Sequence, residues 1–81
     1  MKNPEYRIDK DILYINIDGK IDATNAPEFE EKINQVLEAN KGMHTVLDAD
    51  NLEYISSAGL RVILRLRKAD PGLAIINVSP D

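Results

Sequence analysis

Between residues 12 and 17 the chain reads Ile12-Leu13-Tyr14-Ile15-Asn16-Ile17, with Leu13, Ile15 and Ile17 at alternate positions. A period of two puts these three on one face of a strand and Ile12, Tyr14 and Asn16 on the other, partly covered face. A shorter run, residues 6–8, precedes it across the polar break Asp9-Lys10-Asp11, so residues 5–18 predict a β-hairpin or two short strands. Asp18-Gly19 ends the second strand with turn residues.

The period then changes. Phe29, Ile33, Val36 and Leu37 recur at helical spacing, while Glu30, Glu31, Lys32, Gln35 and Glu38 take the polar side. Thr24 and Asn25 are the candidate N-caps, Pro27 suits a first helical turn, and Glu28, Glu30 and Glu31 favour the positive helix end. Asn40-Lys41-Gly42 is the expected stop, through a left-handed cap. Residues 45–49 predict a short strand, and Asp50-Asn51 a polar loop before Leu52-Glu53-Tyr54-Ile55. A second helix is expected over residues 57–68, with Leu60, Ile63, Leu64 and Arg67 on one side, Val62 and Leu66 widening the apolar stripe, and Arg61, Arg65, Arg67 and Lys68 making the solvent side basic. Asp70-Pro71-Gly72 breaks the chain, and residues 73–78 read as a buried strand. The order β-β-α-β-α-β implies an α/β fold, with parallel pairing, right-handed crossovers and helices packed on a sheet.

Composition acts mainly by exclusion. Eighty-one residues make one domain (1–81) that buries only roughly 60–65% of its unfolded surface. With 43% hydrophobic and 30% charged residues the chain is globular and not disordered. It has no cysteine, so no disulfide or thiolate chemistry is available, and its one histidine, His44, excludes multi-histidine metal sites. A net charge of −4 argues against nucleic acid and anionic membrane as partners. No apolar run reaches the roughly 20 residues of a membrane span, and Met1 to Arg7 holds no apolar signal segment, so the expected location is cytoplasmic.

The residues offer two catalytic arrangements. Asp22, Asp48, Asp50 and Glu53 have neither a calcium-loop spacing nor a glycine-rich phosphate motif beside them, and read as solvated loop acids. A hydrolase built on Ser57 and His44 lacks an orienting third group. Neither a catalytic residue nor a metal site nor a cofactor is expected, and the chain does not read as an enzyme.

Ser56-Ser57-Ala58-Gly59 stands where a polar loop turns into an amphipathic helix. One serine as N-cap accounts for about 1 kcal/mol of helix stability. A second serine and two very small residues are not explained by capping, since Gly in a first turn costs roughly 1 kcal/mol against Ala. Small residues there would let another protein or a phosphate donor approach the backbone. Free N–H groups and the helix dipole also favour negative charge at this end. A reversible phosphate and a simple N-cap both fit the residues.

The segment Val46-Leu47-Asp48, followed by Leu52-Glu53-Tyr54-Ile55-Ser56-Ser57-Ala58-Gly59-Leu60-Arg61-Val62-Ile63-Leu64, resembles the signature of STAS domains. These are the anti-sigma-factor antagonists and the related modules of sulphate transporters. Gly19-Lys20-Ile21-Asp22-Ala23-Thr24-Asn25-Ala26-Pro27 resembles that family's loop between second strand and first helix. The resemblance runs from Tyr6 to Pro80. It implies a STAS-like mixed β-sheet with helices packed against it, and a partner switch. In the family the unphosphorylated antagonist binds a serine kinase that is also an anti-sigma factor, releasing the sigma factor. Phosphorylation at the helix start breaks that complex, and a serine phosphatase resets it. The commonest family motif is Asp-Ser-Ser/Thr-Gly-Leu. Here Ser57 takes the phosphoacceptor place, Ser56 stands where the Asp usually is and keeps the capping role, and Ala58 replaces the second hydroxyl residue ahead of Gly59. Asp22, Thr24 and Asn25, with Leu60 and Arg61, fall on the implied partner surface.

Family members usually continue past a segment like residues 77–81 into another helix; the sequence stops at Asp81, so either a truncated chain or a minimal version is expected. A shortened C-terminus would leave an apolar face uncovered, so a homodimer or segment swap is a further expectation. The alternative reading is a STAS sensory or scaffold module without phosphorylation, binding a nucleotide or another protein through the same face, since fold does not decide function.

Overall fold

The computed structural model describes residues 3–78, so the expectations that rest on residues 1–2 and on Ser79-Pro80-Asp81 lie outside the described residues. The hairpin is formed by β1 (Tyr6–Asp9) and β2 (Ile12–Asn16), paired antiparallel with Asp9 opposite Ile12. Lys10 and Asp11 between them have φ of 51° and 67°, the left-handed pair that a two-residue turn matching strand twist requires. A three-residue strand, β3 (Gly19–Ile21), leads to α1 (Ala26–Ala39). Then come β4 (His44–Asp48), β5 (Leu52–Ile55), α2 (Ser57–Ala69) and β6 (Ala74–Ile76).

The main sheet has the order β1-β2-β4-β6, with β4 parallel to both β2 and β6. Ile15 stands opposite Leu47, and Leu47 opposite Ile75. That face meets the helices: Leu13, Ile15, Ile17 and Leu47 join Ala26, Phe29, Ile33 and Val36 of α1 and Val62, Ile63 and Leu66 of α2 in one buried cluster. Each large aliphatic side chain so buried contributes roughly 1.5–3 kcal/mol. The other face carries Ile12, Tyr14, Val46 and Ala74, and the Arg7 guanidinium sits 4.0 Å from the centroid of the Tyr14 ring, a cation–π contact.

The mixed α/β architecture is the expected one, with two strands more than the sequence pattern showed. β3 and β5 form a parallel pair of their own, Ile21 opposite Ile55, outside the main sheet. Neither carries a periodic signal, because β3 has three residues and opens on Gly19, and each strand's partner is some thirty residues away in sequence. Asn25 does occupy the N-cap position of α1, but its side chain makes no cap hydrogen bond. At the other end Gly42 takes the left-handed conformation with φ of 87°, whereas Asn40 does not, and its Nδ2 donates instead to the Val36 carbonyl.

The buried stripe of α2 differs from the expected one. Gly59, Val62, Ile63 and Leu66 face the core, while Leu60 and Leu64 are 49% and 66% exposed. The two sets differ by a rotation of about one residue, 100° in a helix of 3.6 residues per turn. Gly59 decides between them. A Cβ there would lie 2.6 Å from Ile55 Cγ1 and 2.9 Å from Ile21 Cγ2, so only the glycine face can approach the β3–β5 pair this closely.

Leu66→Ala is expected to cost about 2–5 kcal/mol, as a core truncation does. Leu64→Ala two residues earlier should stay within about 0.5 kcal/mol of wild type. Denaturant titration of both variants checks the assignment, and the opposite ranking would restore the stripe read from sequence.

Candidate functional site

Two chain segments that are more than thirty residues apart in sequence meet at the end of the β3–β5 pair. The Ser56 N–H donates to the Ile21 carbonyl at 2.8 Å, continuing the strand pairing by one residue. This bond sets the loop beginning at Asp22 beside the start of α2. Asp22 thereby follows directly on the residue bonded to Ser56, and Thr24 and Asn25 are hydrogen-bonded to Asp22.

Ser56 is the N-cap. Its backbone is extended, and its Oγ accepts the Gly59 N–H at 3.3 Å. Ser57 follows as the first helical residue, exposed, with no hydrogen bond to its hydroxyl among the described residues. The two serines are thus distinct: one hydroxyl is engaged in the fold, the other open to solvent. The N–H groups of Ser57 and Ala58 lie in the first turn, where no intrahelical acceptor is available, and the dipole adds to their partial positive charge. Ala58 is half-buried and packs against the core cluster. Gly59 is buried against Ile21 and Ile55, so its small size serves the chain's own packing and does not open the backbone to an outside group. That corrects the reading of Gly59 as an approach point.

The loop before α1 is held by its own side chains. Asp22 Oδ1 accepts from the Thr24 N–H at 2.9 Å, the Thr24 hydroxyl at 2.6 Å and the Asn25 N–H at 3.2 Å. The Thr24 hydroxyl, with the Thr24 and Asn25 N–H groups, holds the Asp22 carboxyl below the usual carboxylate range. Asn25 spans the loop in the other direction: its Oδ1 accepts from the Asp22 N–H and its Nδ2 donates to the Lys20 carbonyl, both at 2.9 Å. Its amide ties β3 to the helix start, a role that the cap statistics of asparagine did not suggest.

Ser57, Leu60, Arg61, Leu64 and Lys68 are all exposed and recur at i, i+3, i+4, i+7 and i+11, one continuous stripe on the outer side of α2. Arg65 lies off that stripe, where its guanidinium makes a two-pronged contact with the Glu30 carboxylate of α1, Nε at 2.8 Å and Nη2 at 2.9 Å. Arg65 therefore holds the two helices together and is not a free surface cation. The pairing lowers the Glu30 carboxyl and raises the Arg65 guanidinium relative to their ordinary values.

The other candidates do not assemble. His44 opens β4 beside Gly72, which follows the C-terminal end of α2, whereas Ser57 begins that helix. Thirteen helical residues at 1.5 Å each separate them by roughly 20 Å, so no Ser57–His44 pair exists. Asp48 accepts from the Asn77 amide at 2.9 Å and from the Asp50 N–H at 3.0 Å, and both lower its carboxyl. Among the described residues no group of three or more His, Cys, Asp or Glu side chains is placed to hold a metal. A cleft of about 340 Å³ lies between residues 3–5, the β2–β3 connection and α1, with Lys20, Asn25, Phe29 and Lys32 in its lining. Among the described residues no helix is long and apolar enough to cross a membrane.

Comparison with known proteins agrees with this fold. Residues 3–80 match the family described as STAS domain. The chain is 35% identical over 74 residues to BtrV of Bordetella bronchiseptica, provisionally named an anti-sigma factor antagonist, and the match covers 85% of this chain and 62% of BtrV. The fold resembles the crystal structure of an anti-sigma factor antagonist from Mycobacterium paratuberculosis, with a TM-score of 0.74 and 20% identity over 89% of this chain and 63% of that one. It also resembles SpoIIAA in its unphosphorylated form (TM-score 0.64, 19% identity, 95% of this chain and 74% of that one). SpoIIAA of Bacillus in its phosphorylated form gives a TM-score of 0.61 at 20% identity, with the same coverage. At such identities the structural likeness speaks for the fold alone. The chain spans a little over three fifths of the lengths of BtrV and of the mycobacterial antagonist. With the family match running through both motifs and all eight elements, the chain belongs to the STAS domain family.

Proposed function

We propose that this chain is an anti-sigma-factor antagonist whose binding to a serine-kinase anti-sigma factor is switched off by phosphorylation at Ser57. The observation that carries the reading is the division of labour between the two serines. Ser56 Oγ is committed to the Gly59 N–H, while the Ser57 hydroxyl stands exposed at the first helical position with no partner among the described residues. A kinase would transfer the γ-phosphoryl of ATP to Ser57 Oγ, releasing the hydroxyl proton and ADP. The product gains about −1.5 to −2 of charge next to the Asp22 loop. The helix end tolerates this charge in the free protein, but a partner that docks there meets it directly. A serine phosphatase would restore the binding form. The relatives' names support the class of regulator, since BtrV and the mycobacterial protein are named antagonists and SpoIIAA has been solved in both phosphorylation states.

The alternative module, which binds a small molecule without being phosphorylated, draws support from one observation. The cleft of about 340 Å³ is lined in part by Asn25, the residue that ties down the Asp22 loop. Titration with nucleoside triphosphates would favour it if shifts appeared around Asp22 and Gly59.

The tests follow from the geometry. Incubation with the cognate serine kinase and ATP should raise the intact mass by one phosphate. Ser57→Ala should abolish the gain, whereas Ser56→Ala should keep it while losing about 1 kcal/mol of stability with the cap. Labelling that survives in Ser57→Ala and vanishes in Ser56→Ala would reverse the assignment. Ser57→Asp should weaken kinase binding, and unchanged affinity would rule out the electrostatic mechanism.

Asp22 belongs to the same surface, and its charge should persist in acid. Because its folded-state carboxyl is depressed, its hydrogen bonds stabilise the loop above the unfolded pKa, roughly 3.9, and that contribution is lost only as pH falls through the lower folded value. Amide shifts of Thr24 and Asn25 should stay constant as pH is lowered through the ordinary carboxylate range and move below it. Thr24→Ala should return the midpoint toward the ordinary value; an Asp22 that already titrates there in the wild type contradicts the loop geometry.

A further inference from the structure

β1 is an edge strand, paired with β2 alone among the described residues. The two-residue turn at Lys10-Asp11 makes Asp9 and Ile12 a hydrogen-bonded pair, and the alternation of an antiparallel ladder does the same for Arg7 and Tyr14. The Asn16 N–H, donating to the Glu5 carbonyl at 2.9 Å, continues that alternation. The N–H and C=O groups of Tyr6 and Ile8 therefore point away from β2, along the open edge. Their side chains share the face of their register partners Ile15 and Leu13, yet stand outside the cluster that the helices bury, 48% and 47% exposed. Sheet edges are commonly blunted by a proline, a lysine, a bulge or a covering loop. β1 carries no proline or lysine, its register with β2 is unbroken and all four of its residues are exposed. The opposite edge, β6, has three residues and ends at Asn77, whose φ of 59° turns the chain and whose amide is tied to Asp48.

We propose that this edge pairs antiparallel with β1 of a second copy of the chain, about a twofold axis at Tyr6, so that the two main sheets become one. Charge complementarity selects that occupant. Glu5, Arg7 and Asp9 alternate onto the outer face of the strand, negative, positive, negative. In an antiparallel pair centred at Tyr6, Glu5 stands opposite the partner's Arg7 and Arg7 opposite the partner's Glu5, two cross-strand pairs of opposite sign. On the other face Tyr6 meets its own copy, an aromatic pair, and Ile8 meets the partner's Pro4. The outward groups of Tyr6 and Ile8 then make about four backbone hydrogen bonds.

The neighbouring registers are poorer. Centred at Arg7, the pairing sets Arg7 against its own copy and Glu5 against the partner's Asp9, like charges throughout. Centred at Ile8, it runs into Lys10, whose φ of 51° leaves the strand, so only about two hydrogen bonds form. A shift by one residue would put apolar side chains opposite charged ones on the wrong face. The contact is small, in the class below roughly 1,200 Å² that gives weak and reversible pairs. It lies at the edge opposite β6 and uses neither Ser57 nor α2, so it stands apart from the proposed switch.

The test follows the unmodified chain by sedimentation and amide hydrogen exchange as its concentration is raised to about 1 mM. The mass should move from monomer toward dimer, and the Tyr6 and Ile8 N–H groups should gain protection while those of Arg7 and Asp9, already bonded to β2, should not change. Arg7→Glu makes the outer row uniformly negative and should weaken the dimer about tenfold or more, and Glu5→Arg added to it should restore the pairing. Arg67→Glu, the same charge change on α2, should leave it within about twofold. Since the chain has no cysteine, one introduced thiol reports the axis. Tyr6→Cys should form a disulfide-linked dimer with oxidised glutathione, because Cα atoms of such a pair stand about 5.5 Å apart. Ile8→Cys, displaced from its own copy by roughly 13 Å, should not. A chain that stays monomeric throughout would overturn the proposal. So would a dimer that Arg7→Glu leaves intact, or one that links through Ile8→Cys in preference to Tyr6→Cys.

Discussion

The start of α2 and the loop beside it depend on one close approach, that of α2 to the β3–β5 pair at Gly59. With no side chain at that position the helix backbone comes down onto Ile21 and Ile55, register partners in the small parallel sheet. Any Cβ would have to displace branched side chains, one of which is buried to within 1%. The approach fixes the rotation of α2 about its own axis, and most of the surface follows from that rotation. Val62, Ile63 and Leu66 turn to the core with Gly59; Ser57, Leu60, Arg61, Leu64 and Lys68 turn to solvent. A helix rotated by one residue would bury Leu60 and carry Ser57 to a different flank.

Around this contact the structure leaves few polar groups free to rearrange. Ser56 bonds back to Ile21 and caps Gly59, Asn25 spans from Lys20 to Asp22, and Asp22 accepts three hydrogen bonds from its own loop. Arg65 and Glu30 join the outer surfaces of the two helices. No buried side-chain nitrogen or oxygen is left unpaired among the described residues. A site that is internally satisfied and presents one unengaged hydroxyl is suited to a change of charge in place, since adding a phosphate to Ser57 breaks none of these bonds. Its effect then falls on whatever docks outside.

Much of the fold was legible in the sequence because its signals are local. The alternation of Leu13, Ile15 and Ile17 and the spacing of Phe29, Ile33 and Val36 reflect burial that one element carries by itself. Ser56 as cap could also be read, from its place before the helix. β3 and β5 were not legible, for their stability comes from pairing with each other across more than thirty residues. The face of α2 was misread for a related reason. A hydrophobicity pattern scores side chains, and the residue that sets this helix against the sheet has none, so Leu60 and Leu64 drew the stripe toward themselves. Asn25 was read as the cap, but the role of its side chain was not foreseen, since its amide serves the strand before it and the loop, not the helix after it.

The orientation of α2 depends on the packing at Gly59, which Gly59→Ala tests directly. Helix propensity alone would make that substitution favourable by roughly 1 kcal/mol. The contact with Ile55 Cγ1 at 2.6 Å and Ile21 Cγ2 at 2.9 Å predicts the opposite sign, a net loss of about 1–3 kcal/mol in denaturant unfolding, with amide shifts spreading to Asp22 and Asn25 across the Ser56–Ile21 bond. A variant as stable as the wild type or more so, with an unperturbed loop, would show that α2 does not rest on the β3–β5 pair in this way and would undo the assignment of its outer face.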